Sequence, residues 1–246
     1  FLIKNDYHNA KVILKAEFLN QDFDELLLDT GSIPEAKLKL MIKERNTSNM
    51  PLIMKKAVEE SIDTFNRTGN PQSIDLIMDK ACFQHMKELA VRSKVNFLKD
   101  LVEIMIDTIN IKTYLRVKRM NKSWDFLSKA LIPGGRIDEK IFIGKLEGPL
   151  QSIVDALRYT HYGALVEEGI ENYKKTGNFI YLEKLCDDYV TGFVKKAKYI
   201  ALGIEPLIGY LMAKENEIKI ARIIMVGKIN GMPDDIIRER LREVYV

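Results

Sequence analysis

One stretch of thirteen residues occurs twice, and nothing else in the chain restricts the fold as much. Val58-Glu59-Glu60-Ser61-Ile62-Asp63-Thr64-Phe65-Asn66-Arg67-Thr68-Gly69-Asn70 returns as Val166-Glu167-Glu168-Gly169-Ile170-Glu171-Asn172-Tyr173-Lys174-Lys175-Thr176-Gly177-Asn178. Seven of the thirteen positions are identical, and Asp63/Glu171, Phe65/Tyr173 and Arg67/Lys175 are conservative exchanges. Ordinary composition supplies about one identity by chance over such a length. The copies start 108 residues apart, well beyond the roughly 20–50 residues of a solenoid period, so the duplicated object is a small domain.

Each copy reads as a helix with its own stop signal. Val58, Ile62 and Phe65, like Val166, Ile170 and Tyr173, fall at i, i+4 and i+7, one face of a helical period. Gly69 and Gly177 stand where a left-handed residue ends a helix, with Arg67 or Lys174 and Lys175 near the negative end of its dipole.

Helical periodicity continues on both sides. Residues 73–91 and 95–118 carry long apolar stripes, and the second covers so much of its circumference that a central position in its domain is expected. Residues 199–213 form the longest apolar run; Glu205 and Pro206 interrupt it, and it reads as a buried core helix rather than a span. Sustained period-two alternation is absent, so the expected class is all-α.

A second pattern recurs three times. Asp6-x-x-Asn9-x-Lys11, Asp107-x-x-Asn110-x-Lys112 and Lys214-x-x-Glu217-x-Lys219 each lie on an apolar helix. Helix starts follow at Ile33-Pro34-Glu35, Ile137-Asp138-Glu139 and Met232-Pro233-Asp234. These marks divide the chain into three units, 1–46, 47–148 and 149–246. The first is the tail of a unit whose front is missing, and the absence of an initiator Met before Phe1 reads as a truncation or a missing leader. Closure of three like units about a pseudo-three-fold axis, as a funnel with a central hollow, would bury a similar face on each.

Composition narrows the function. Against 38 Lys and Arg stand 35 Asp and Glu, a net charge of +3, and the charges are interleaved along helices. Such a balance points to solvated helix faces rather than to nucleic acid. Cys82 and Cys186 have no metal-ligand spacing and suit a reducing, cytosolic setting. His8, His85 and His161 lie on separate segments, each a helix-face residue, without triad or ligand partners. Pro133-Gly134-Gly135-Arg136 reads as a plain turn or as a cradle for an anion. The pair Asp187-Asp188 reads as a solvated polar face. No catalytic, cofactor or metal site is expected. The candidate site residues are Lys11, Lys112, Arg116, Lys219 and Arg222, with two readings: helix pairing within each unit, or a basic lining that receives another protein of a complex.

Three stretches carry a family resemblance. Residues 6–15, residues 214–228 and the ending Ile236-Ile237-Arg238-Glu239-Arg240-Leu241-Arg242 resemble the C subunit of the V-type (A-type) rotary ATPases and the eukaryotic V-ATPase d subunit, and the likeness runs through the whole chain. The resemblance implies a non-catalytic central-stalk funnel that seats on the cytoplasmic mouth of the membrane rotor ring and accepts the D- and F-type central shaft subunits. It implies a cytoplasmic protein, peripheral to the membrane, in a complex that moves protons or sodium or makes ATP. It also implies further helices ahead of the position of Phe1. The alternative is a helical scaffold or adaptor unrelated to rotary motors.

Overall fold

The computed structural model describes residues 1–245. Helices follow one another with no strand among the described residues: α1 (Ile3–Leu19), α2 (Glu35–Lys43), α3 (Leu52–Thr68), α4 (Gln72–Arg92), α5 (Asn96–Arg119), α6 (Trp124–Ala130), α7 (Glu139–Gly144), α8 (Gln151–Leu157), α9 (Gly163–Thr176), α10 (Ile180–Val194), α11 (Glu205–Ile229) and α12 (Asp234–Arg240), with 3-10 turns at Asp24–Leu26 and Lys195–Tyr199. The all-α expectation holds. Residues 1–96 with 132–134 form one compact unit, and residues 97–131 with 135–246 form the other.

In the first unit α1 packs on α2 and α4, and α3 and α4 form an antiparallel hairpin. Tyr7, Leu14, Leu38, Met54, Ile74 and Met78 are fully buried, and Phe18 of α1 stacks on Phe65 of α3 with ring centroids 4.1 Å apart. In the second unit Ile111, Tyr114 and Leu115 of α5 share a core with Phe142, Val166 and Leu182 from α7, α9 and α10. The central position expected of α5 is observed, with buried residues spread around its circumference.

The thirteen-residue repeat is the body of two hairpins, α3–α4 and α9–α10, and its shared Thr-Gly-Asn ending has a local cause. Gly69 and Gly177 adopt φ of +62° and +71°, and their N–H groups donate to Phe65 O and Tyr173 O. The Asn that follows then receives the next helix: Gln72 N–H donates to Asn70 Oδ1 at 3.0 Å, and Ile180 N–H to Asn178 Oδ1 at 3.1 Å. Thr68 and Thr176 each donate back to a carbonyl of the preceding turn and accept from that Asn N–H. Each identical residue at the turn thus makes the same bond twice.

Helices α1, α5 and α11 also end alike. Asn20, Asn121 and Gly231 take left-handed φ of 49°, 50° and 64°. In each case the next N–H reaches back to the fifth residue before it: Gln21 to Ala16 O, Lys122 to Val117 O and Met232 to Gly227 O. This is one Schellman motif made three times, spaced by 101 and 110 residues.

That spacing corrects the third copy. Counted back from the left-handed residue, Asp6 and Asp107 correspond to Glu217, and Lys11 and Lys112 to Arg222 rather than Lys219. Counted forward, α12 begins three residues after Gly231 as α6 begins three after Asn121, so Met232-Pro233-Asp234 corresponds to the start of α6, not α7. Leu127 and Ile237 are the buried counterparts on the two short helices.

A second correction concerns residues 199–213. They do not form one buried helix: residues 200–204 lie outside any helix, α11 starts at Glu205, and Tyr199 and Leu202 are almost wholly exposed. Of α11 only Ile208, Gly209, Ala213 and Gly227 are buried among the described residues. Apolarity all round a helix signals burial only when something covers every side of it.

Candidate functional site

The polar positions of the long helices fall into two groups with different tasks. The first is the buried carboxylate. Asp107, fully buried, accepts N–H bonds from Arg136 at 3.0 Å and Ile137 at 3.1 Å and the Tyr162 hydroxyl at 2.8 Å. Asp6 does the same for the earlier turn: Ile33 N–H donates to it at 3.0 Å, and so does the Ser32 hydroxyl. Gly31 and Gly135 are required where the backbone passes each carboxylate, because a Cβ there would overlap Asp6 Oδ1 or Asp107 Oδ1. The anion that the Gly135-Arg136 turn cradles is therefore the protein's own Asp107. Burial raises the Asp107 pKa against the opposing pull of its three donors, and pushes Tyr162 upward as well. Asn9 completes the first copy by exchanging both amide bonds with Leu28, at 2.7 and 2.8 Å. In the third copy Glu217 is exposed and pairs with Lys214 on its own helix at 2.7 Å.

The second group is a set of cations along the seams. Lys11 Nζ binds Asp79 Oδ1 at 2.7 Å, and one turn on Lys15 binds Asp75 at 2.7 Å, both acids on α4. Lys112 binds Asp187 at 3.1 Å, and one turn on Arg116 binds Glu183 at 2.6 Å, both acids on α10. Asp79 and Asp187 are 108 residues apart, as are Asp75 and Glu183. The ladder is the same object twice, although its acidic side lies outside the thirteen-residue match.

Of the five candidate residues, Lys112 and Lys219 converge, since both reach Asp187, which also accepts Arg242 Nε at 2.8 Å. Arg116 sits one turn away on Glu183, Lys11 is in the first unit on Asp79, and Arg222 is exposed on α11. Asp187 is the residue the sequence concealed. It is a half-buried hub rather than a solvated face. Burial alone would raise its pKa, but Lys112, Lys219 and Arg242 outweigh that effect and hold it at about 2. Its neighbour Asp188 accepts Glu243 N–H at 2.7 Å, which ties the C-terminal segment to α10.

Burial pushes the Cys82 and Cys186 thiols up to about 12, and both are free. His85 Nδ1 lies 3.3 Å from the Tyr7 hydroxyl, and His8 Nε2 lies 2.9 Å from Leu26 O. His161 is exposed in the turn before α9, not on a helix face. Among the described residues no group of three or more His, Cys, Asp or Glu could hold a metal ion.

Likeness to known proteins extends over this whole framework. Residues 1–240 match the family model described as ATP synthase (C/AC39) subunit. The chain is 27% identical over 245 residues to the C subunit of the V-type sodium ATPase of Enterococcus hirae, covering 100% of itself and 74% of that relative. It is 26% identical over 257 residues to the C subunit of the A-type ATP synthase of Methanocaldococcus jannaschii, with 98% and 64% covered. For the corresponding A-type ATP synthase C subunit of Methanobrevibacter smithii the identity is 24% over 255 residues, with 97% and 66% covered. The chain thus spans about two thirds to three quarters of the length of these relatives. By a match that begins at its first residue and takes in every helix described above, the chain belongs to the ATP synthase (C/AC39) subunit family.

Proposed function

We propose that the chain is a non-catalytic central-stalk subunit of a rotary V/A-type ATPase, a socket that couples the rotor shaft to the membrane ring during ATP-driven proton or sodium transport or ATP synthesis. The observation that carries this reading is the family match over residues 1–240. Relatives named as C subunits of a sodium ATPase and of ATP synthases support a place inside such a complex. No helix among the described residues is long and apolar enough to cross a membrane, which suits a peripheral position on the cytoplasmic face of the ring.

A coupling part has to transmit torque through contacts that hold register. The ion-pair ladders suit that task within the chain, because charge-assisted bonds fix the angular position of one helix on the next. Pseudo-three-fold closure into a funnel, with the D- and F-type shaft subunits in its hollow and the ring beneath it, belongs to the same proposal. Lys11, Lys112, Arg116, Lys219 and Arg222 are its candidate basic lining. All but Arg222 already hold an acid of this chain, so a shaft would compete for or extend those pairs.

The test is assembly. Purified chain mixed with the shaft subunits of its own rotary ATPase should give a stable complex in native mass spectrometry, and the chain should bridge shaft and detergent-solubilised ring in a pull-down. Failure to bind the shaft would refute the socket. Charge reversal of Lys112 and Lys219 together should weaken shaft binding at least tenfold with helicity retained by circular dichroism; wild-type affinity would remove the basic lining while leaving the socket standing.

A further inference from the structure

Six residues after the left-handed turns that end α1, α5 and α11 stand Leu26, Leu127 and Ile237. Leu127 and Ile237 are 0% and 4% exposed, whereas Leu26 is 50% exposed. The other two copies show where this residue sits when it is buried. In the last copy a Cβ on Gly227, four residues before the turn, would lie 2.7 Å from the Ile237 side chain. In the second copy Leu127 shares a core with Tyr114 and Val117, seven and four residues before the turn. The corresponding residues of α1 are Ile13 and Ala16. Together with Val12, Leu27 and Lys39 they line a cavity of about 450 Å³ in the first unit, and Leu26 is not in its lining. The apolar residue and the space that its counterparts occupy are thus both present, but apart.

A shortening by three residues accounts for the separation. Asn20 and Ile33, whose N–H reaches Asp6, are 13 residues apart, whereas Asn121 and Ile137, whose N–H reaches Asp107, are 16 apart. The difference is nearly one helical turn. Where α6 has seven residues, the first copy has only the 3-10 turn Asp24–Leu26. Neighbouring helices fasten that turn where it stands. His8 Nε2–H donates to Leu26 O at 2.9 Å, Lys39 pairs with Asp24, and Asn9 holds Leu28 by both amide bonds. Ile13 and Ala16 in place of Tyr114 and Val117 enlarge the vacant seat. An exposed leucine beside an open seat forfeits apolar burial twice, once on each side.

We propose that residues 22–27 are a hinged lid, and that the cavity is the seat into which the Leu26 side chain closes. Leu28, held by Asn9, is the hinge, and His8 and Lys39 are the latches that keep the lid open. The open lid displays Leu26 at the surface, and the closed lid buries it against Ile13 and Ala16. Burying one leucine and breaking two partly exposed polar contacts are effects of similar size and opposite sign. The two states therefore lie close together, and a change at one latch shifts their populations. The device lies within the first unit and does not depend on the shaft reading.

The experiment traps the closed lid in the full chain, whose own Cys82 and Cys186 are buried. Ala16→Cys and Leu26→Cys together should form a 16–26 disulfide under oxidised glutathione, mapped by peptide mass spectrometry. Ala16→Cys with Glu25→Cys should form its disulfide roughly tenfold more slowly, because geometry restricts which thiols can join. His8→Ala should speed the 16–26 disulfide about fivefold, the worth of one hydrogen bond. A second readout needs only surface and cavity changes. With Leu26→Cys alone, maleimide alkylation at position 26 should slow at least about twofold on adding His8→Ala, and recover when Ala16→Leu fills the seat. The proposal is overturned if the 16–26 disulfide forms no faster than the 16–25 control in a chain of unchanged helicity. It is equally overturned if alkylation ignores both His8→Ala and Ala16→Leu, which decides the matter alone should the double-cysteine chain misfold.

Discussion

Asp187 and Asp107 show how differently two acids of the same type act here. Asp187 is held at about 2 by Lys112, Lys219 and Arg242, below the ordinary aspartate value of 3.8. A carboxyl whose folded pKa is depressed contributes stability that is fully present above its unfolded pKa and is lost as pH falls through the folded value. Denaturant midpoints should therefore decline between about pH 4 and pH 2, and Asp187→Asn should flatten that decline while costing about 2 kcal/mol at neutral pH. An acid limb of equal steepness in the variant would contradict the hub. Asp107 has the opposite environment, since its carboxylate is buried among neutral donors. Asp107→Ala would leave two backbone N–H groups and the Tyr162 hydroxyl without a partner, and should cost about 3 kcal/mol in chemical denaturation. A loss below about 1 kcal/mol would mean that water replaces the carboxylate. Neither role was legible from sequence. The donors to Asp107 lie 29 to 55 residues downstream, and the cations on Asp187 come from three separate segments, whereas adjacency in sequence made Asp187-Asp188 resemble a solvated face.

At the level of the element, the repeat was legible wherever its cause is local. Thr-Gly-Asn closes a turn through bonds to its immediate neighbours, so the same three letters return whenever the same turn does. The third long helix was misread because Lys219 reproduces the spacing of Lys11 and Lys112 from a neighbouring position; only the backbone of Gly231, in the same left-handed state as Asn20 and Asn121, fixes the register. The hairpins offer a test of equivalence at a position where the two copies differ. Ser61 in α3 and Gly169 in α9 correspond, as do Ile74 and Leu182. A Cβ at Gly169 would lie 2.5–2.7 Å from the Leu182 side chain, so Gly169→Ala should destabilise by about 1–3 kcal/mol. In the other hairpin a Cβ is already accommodated, and the Ser61 hydroxyl is buried without a hydrogen-bond partner among the described residues. Ser61→Ala should therefore leave stability unchanged or raise it by about 1 kcal/mol, read as a shift in thermal midpoint. Equal losses in both variants would show that the hairpins pack differently despite their shared sequence.

For the whole molecule, the family was legible in the ending and in the repeat because those segments carry the framework every unit reuses. What the chain does for its complex was less legible, because exposed Leu, Ile and Met on α11 look in sequence like core. As the proposed coupling part, the chain belongs on the rotor axis. The most direct test is an electron cryomicroscopy reconstruction of the intact rotary ATPase that contains it. The chain should lie on the axis between shaft and membrane ring and keep one orientation relative to the shaft in every rotational state. Density at the periphery among the static stalks, or an orientation that stays with the static parts while the shaft turns, would contradict the account.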